Sequence, residues 1–287
     1  MLLAIPLLAA ALGQDLPFDR PEAWAQQYFT TVSMLTGLGP ATPERAGDVS
    51  IQLESGWIPS LSPSEERVGF SGTSAEDLNK APVLFRPRVR VALPARFAVV
   101  VGGVPPVRAF GVTPRLVAAA VEWTMIDRRA WRASWRVHGQ TGSVTGAFTC
   151  PDAVVGAPDG STSNPTGGDA RSSDVATLRY GAIEFEVART LARFGGATPH
   201  VSIAVNGIDS RFQVNAQTFG QPDHTLLTTR GVTEAFAGGV AVPLGRRFEA
   251  SLDAFYSPLF VRRSQTDART VDGLFNVRGL ISYRVNR

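Results

Sequence analysis

From residue 48 to the C-terminus, apolar and polar residues alternate with a period of two, in one segment after another. That period places successive side chains on opposite faces of a strand, and a core helix of a soluble domain does not produce it. In WRASWRVHGQ, Trp131, Ala133, Trp135 and Val137 share one face, and Arg132, Ser134, Arg136, His138 and Gln140 share the other. The same split recurs around Val89, Ile183, Leu252 and Ile281. About ten strands result, at 48–60, 82–92, 96–105, 114–126, 130–148, 174–190, 198–214, 226–243, 247–262 and 272–285. The segments 96–104 and 226–243 are blurred, being small and apolar on both faces. Many of the strands exceed the roughly 5–6 residues common in soluble sheets and suit the ~9–11 of a tilted membrane-crossing strand.

The connections sort by length. Those at 93–96, 127–129, 194–197 and 244–246 are tight, whereas 61–81, 105–113, 149–173, 215–225 and 263–271 are long and rich in Gly, Ser, Thr, Pro and Asp. Short turns at one rim and long loops at the other describe a transmembrane antiparallel up-and-down β-barrel, all-β, of about 10 strands within a range of 8–12. A soluble sandwich would alternate too, but its connections would not sort in this way. In hydrocarbon every backbone group must be paired internally, so a sheet crosses only when closed, apolar outside and free to be polar within. Trp57, Trp123, Trp131, Phe194, Tyr256 and Tyr283 lie towards strand ends, where an interfacial girdle belongs.

Composition narrows the classes further. The chain of 287 residues is 18% charged and 44% hydrophobic, which excludes a disordered chain or a coiled coil. No apolar run approaches the ~20 residues of a membrane helix. A net charge of +3 is small for this length and makes no case for nucleic acid. Arginine and aromatic residues fall on opposite faces, so they build no stacking platform for bases. Cys150 is the only cysteine, so there is no intrachain disulfide.

The N-terminus reads as an export signal. Residues 2–12 are LLAIPLLAAAL, followed by a small-residue step, which places a signal peptide at 1–13. A periplasmic N-terminal segment at 14–46 follows, and the barrel occupies 47–287. In the segment, Asp19 is placed to cap a helix with Pro21 and Glu22 in its first turn, and Trp24, Tyr28, Val32 and Leu35 recur at helical spacing. A helix of about 15 residues is expected, able to plug the barrel mouth or lie along the membrane.

The inward faces carry charges in rows. Arg86, Arg88 and Arg90 form one basic row, and Arg132, Arg136 and His138 another; Arg278 follows on the last strand. Glu54, Glu122, Glu184 with Glu186, and Glu249 with Asp253 are acidic. Opposite signs fall on adjacent strands, where a cross-strand pair contributes ~0.2–1 kcal/mol. These rows predict either a salt-bridged filling or the walls of a narrow pore selecting charged solutes. Barrels of about eight strands are filled by side chains, and open channels appear near sixteen.

No catalytic constellation stands out. The three histidines are His138, His200 and His224, and only Asp223-His224 with Asp209 offers a base beside a carboxylate. The loop containing Asp152, Asp159, Asp169 and Asp174 lacks EF-hand spacing. No cofactor is expected.

Signal peptide, polar N-terminal stretch, alternating strands and a last strand from Asp272 to Arg287 together resemble Gram-negative outer-membrane β-barrel proteins. The resemblance is one of architecture. An N-terminal plug is similar to the long-chain fatty acid transporters, whose asparagine-proline-alanine signature is absent, and the strand number is similar to the omptin proteases. The omptins' catalytic aspartates and aspartate–histidine couple have no match here. The resemblance implies an outer-membrane location, with lipid and the barrel-assembly machinery as partners. The expected role is a narrow pore or transport barrel for small solutes. The alternatives are a structural surface barrel with a filled lumen, or an outer-rim hydrolase acting on lipid or peptide.

Overall fold

The computed structural model describes residues 13–42, 44–161, 164, 167–264 and 266–285. Residues 1–12, which carry nearly all of the expected signal peptide, lie outside the described residues. The wall consists of Val49–Trp57, Val83–Ala92, Phe97–Val104, Val112–Arg128, Trp131–Gly146, Tyr180–Arg189, Thr198–Gln213, Leu226–Leu244, Phe248–Ser257 and Leu274–Arg284, named first to tenth in that order. Each is antiparallel to the next, and the tenth pairs with the first from Arg278↔Gly56 to Arg284↔Ser50. That last pairing closes a ten-stranded barrel and removes the two free edges an open sheet would expose.

Two of the expected strands differ in detail. The span expected at 174–190 forms in two pieces, Asp174–Thr177 and Tyr180–Arg189, both lying between the fifth and seventh strands. The strand expected at 247–262 stops at Ser257, because Pro258 has no N–H for the ladder. Phe260–Val261 then pairs with Thr270–Val271, outside the wall.

Burial follows the alternation, with the apolar face outward. Val117, Val137, Ile183, Val201 and Leu252 are 55–64% exposed, while Glu54, Arg86, Glu184, Asp253 and Arg278 are at most 1% exposed. A soluble fold would reverse that order. Phe97 stacks on Trp123 and Phe248 packs on Tyr283 near the short-turn rim. Trp57, Phe85 and Tyr256 are exposed towards the other end, so aromatic residues flank the apolar band on both sides.

The N-terminal segment takes a course the alternation does not encode. Gly13–Leu16 lies parallel to Leu226–Thr229, at the long-loop end of the eighth strand. A helix, Pro21–Val32, follows. The expectation of a helix on the periplasmic, short-turn side is therefore corrected: it sits among the long loops at the opposite rim. Its Trp24–Tyr28–Val32 face buries against Leu61, Val68, Leu259 and Val261, which only those loops supply. Trp24 Nε1 donates to the Asp272 carbonyl and the Tyr28 hydroxyl to that of Pro59. The expected cap is also corrected. Arg20 is the N-cap, and the Asp19 carboxylate faces Arg262 at 3.3 Å instead. The helix ends at Val32, short of Leu35, with Ser33 out of helical geometry as its C-cap, and Gly37 and Gly39 further on adopt left-handed φ of 68° and 71°. Residues 33–42 then run inside the barrel, and the chain enters the first strand at the short-turn rim.

Candidate functional site

The lumen is the place where charge, burial and chain path converge. Descending from the long loops, residues 33–42 meet the inward side chains in sequence. The Ser33 carbonyl accepts from Arg86, and the Ser33 hydroxyl from Gln140 at 2.8 Å. Leu35 N donates to the Tyr180 hydroxyl at 2.8 Å, and Arg278 donates to the Met34 and Thr36 carbonyls at 2.6 and 3.2 Å. Gly37 N donates to Glu184 at 2.9 Å. The Gly39 carbonyl accepts from Arg136 at 3.3 Å, Ala41 N donates to Glu186 at 2.9 Å, and Arg132 and Arg90 reach the carbonyls of Ala41 and Thr42.

A buried extended chain has no partners of its own for its N–H and C=O groups, and leaving them unmet is costly. The charged rows supply them. Hydrogen bonds to charged groups are each worth about 1.5–3 kcal/mol net, so this set fixes one path for the segment. Apolar contacts match it: Leu35 and Leu38 pack on Val100, Ala118 and Ala120.

The rows also bond to one another as register predicts. Glu54 is opposite Arg86, Glu122 opposite Arg136, and Arg136 opposite Glu184. Arg136 is the hub, 3.0 Å from both Glu122 and Glu184 and 3.8 Å from Glu186. Arg90 bonds Glu122 at 2.9 Å and also reaches Glu44. Glu54 lies 3.5 Å from Arg86 and 3.7 Å from Arg88. His138 sits 3.2 Å from the Tyr180 hydroxyl and 3.5 Å from Glu184. Glu249 is half-buried at the short-turn rim, 3.9 Å from Arg284.

One expected pairing does not form. Asp253 and Arg278 face each other in register, yet Asp253 is taken by His200 at 2.5 Å, and Arg278 turns to the threaded backbone and stacks on Phe255. The contribution of Glu44 and His200 to this network has no signature in the sequence, because the partner of each is set by tertiary position. Of the expected charged residues, Arg86, Arg88, Arg90, Arg132, Arg136 and Arg278 oppose Glu54, Glu122, Glu184, Glu186, Glu249 and Asp253, six against six. The expected residues are therefore balanced in formal charge.

The outer-rim pair does not converge. Asp223 accepts from Thr225 N at 2.9 Å, His224 Nδ1 meets Asn215 at 3.2 Å, and Asp209 pairs with Arg230 at 3.2 Å. Among the described residues no group of three or more His, Cys, Asp or Glu is arranged to hold a metal.

A closed wall, an outward apolar band between aromatic belts and a polar interior occur together only where lipid is the outer solvent. This is an outer-membrane β-barrel. Short turns at one rim, long loops at the other and an apolar wall are the layout of a barrel in the outer membrane of a Gram-negative bacterium. No family model matches the sequence, and no curated protein matches it. Solved structures similar to this barrel include the outer membrane protease OmpT of Escherichia coli, 8% identical with 83% of this chain and 94% of that one covered and a TM-score of 0.40. The translocator domain of the autotransporter NalP of Neisseria meningitidis is 8% identical over 84% and 89% of the two chains, with a TM-score of 0.41. Ail, the attachment invasion locus protein of Yersinia pestis, is 10% identical over 83% and 99%, with a TM-score of 0.25.

Proposed function

We propose that this outer-membrane barrel is sealed by residues 33–42 of its own chain and serves as a non-enzymatic anchor that holds its long loops and the helix Pro21–Val32 at the outer surface. Of the roles drawn from the sequence, this is the structural barrel with a filled lumen, and it takes precedence over the narrow pore and the hydrolase. The observation that carries it is the threaded stretch 33–42, bonded on all sides by the charged rows. Between that stretch and the wall at the short-turn end, the cavity beside Arg88 and Glu122 measures about 20 Å³. A water needs ~10–15 Å³, so the space takes one water and not a hydrated solute. Lipid around the wall and the assembly machinery during biogenesis are the partners this role requires.

Planar-bilayer recording tests the proposal. The intact protein is expected to give no conductance steps, and a variant lacking residues 21–42 to give steady ones. Steps from the intact protein, with ion selectivity that inverts on Arg88→Glu or Arg136→Glu, would instead establish a pore.

A further inference from the structure

The wall has two places where neighbouring strands part before the long-loop rim. Between the eighth and ninth strands, pairing ends at Phe236↔Tyr256, and the free edge above is covered by Gly13–Leu16 and by Phe18 against Gly231. Between the second and third strands, pairing ends at Arg88↔Gly102. Residues 83–87 continue against the first strand and 103–104 against the fourth, but not against each other. Pro87 stands where that ladder stops, as suits a residue with no N–H to offer. Among the described residues no strand covers this second seam.

Behind the seam lies a cavity of about 250 Å³. Its jambs are Val83, Phe85, Val104 and Val107, and its floor is Leu116, Val144, Phe148 and Leu178. Phe29 and Val32 of the N-terminal helix close its inner end. An apolar cavity of ~150 Å³ already excludes water and takes a benzene-sized guest, so a larger one lined chiefly by apolar side chains, with Ser33 and Lys80 as its polar members, favours hydrocarbon.

Phe85 is 53% exposed on the lipid-facing surface, two residues along the strand from Val83, which pairs with the girdle residue Trp57, so the mouth opens at the level of the outer interface. Beside it the loop 105–111 holds Val107 and Phe110 out at 63% and 57% exposure. Phe110 has a left-handed φ of 51° in a turn closed by reciprocal bonds between Ala109 and Val112. Backbone strain that displays an aromatic residue instead of burying it is a mark of a binding lip. Two exposed cations are chain neighbours of lining residues: Arg108 between Val107 and Ala109 on the loop, and Arg115 between Pro114 and Leu116 on the outward face of the fourth strand. Neither forms an ion pair among the described residues, and at head-group depth each favours a phosphate.

We propose that this lateral seam is a lipid-binding site that takes one acyl chain of an anionic, phosphate-bearing membrane lipid, with the head-group phosphate against Arg108 and Arg115; phosphatidylglycerol serves as its probe. The wall is continuous with the bilayer here, so the chain enters sideways without leaving hydrocarbon.

Native mass spectrometry of the full-length barrel, released from nanodiscs of mixed phosphatidylglycerol and phosphatidylcholine, tests the site. The expected result is retention of a single phosphatidylglycerol, reduced at least tenfold by Val104→Trp, which fills the cavity. Arg108→Ala with Arg115→Ala is expected to remove the preference for phosphatidylglycerol over phosphatidylcholine while leaving one lipid bound. The arginine variant alters only exposed side chains, so it remains informative if the tryptophan variant does not fold. Equal retention of both lipids by the unaltered barrel, or retention that neither variant changes, would overturn the proposal in favour of ordinary annular lipid.

Discussion

Replacing Arg136 with methionine is expected to destabilise the folded barrel by about 3–5 kcal/mol, the usual cost of leaving buried charge uncompensated. Arg136 faces Glu122, Glu184 and Glu186, and it also donates to the Gly39 carbonyl of the threaded segment. Methionine fills much of the volume but leaves three buried carboxylates without their shared cation. Arg136→Lys keeps the charge but loses the planar fork that serves two carboxylates at once, so a smaller loss is expected. Adding Glu122→Gln and Glu184→Gln to Arg136→Met should recover part of the stability, since neutral partners no longer need a cation. Urea titration of folding into lipid vesicles, read as the shift between heat-modified and compact gel bands, measures each step. A loss below 1 kcal/mol for Arg136→Met would mean that the rows are solvated and not a bonded filling.

The second large effect is expected at Gly37. Its φ is 68°, and a Cβ added there would lie 2.0 Å from the Ala237 methyl. Gly37→Val therefore combines a left-handed backbone cost of ~1–2 kcal/mol with overpacking of ~1–3 kcal/mol. The two parts can be separated. Ala237→Gly opens the wall opposite and should restore the packing share while leaving the backbone share in place. The same variant is expected to loosen the seal, so Gly37→Val should show intermittent conductance in the bilayer assay where the unaltered protein is silent. Stability unchanged within 0.5 kcal/mol, or a full recovery from Ala237→Gly, would contradict the close approach of segment and wall.

The wall was legible in the sequence because alternation in a membrane strand is enforced on every residue, outward by lipid and inward by a polar lumen. Register followed for the same reason: Glu54 against Arg86, and Arg136 against both Glu122 and Glu184, are the pairs the charge rows require. The path of residues 33–42 was not legible. Gly37-Leu38-Gly39-Pro40 has no period, and the bonds of residues 33–42 to the wall come from side chains 48 to 244 residues away in the chain. A trace of it is present in the segments 96–104 and 226–243, which are small and apolar on both faces. Ala98, Val100, Ala235 and Ala237 are inward and buried, small because the segment passes in front of them. A small-residue inward face in a charged lumen is the mark of a space kept for something else. The rim at which the helix sits is not legible either, because helical spacing tells which face is buried and not what buries it; here Leu61, Val68, Leu259 and Val261 come from loops far along the chain.

Cysteine accessibility on intact cells tests the threading itself. Asp15 and Ala46 are both exposed, and they lie at opposite rims only if the segment between them crosses the barrel. Native Cys150 gives little background, because it is 1% exposed and burial pushes its thiol up to about 11. A membrane-impermeant maleimide should label Asp15→Cys on intact cells, Ala46→Cys only after the outer membrane is permeabilised, and Leu38→Cys only after unfolding. Labelling of Asp15→Cys and Ala46→Cys from the same side would contradict the account.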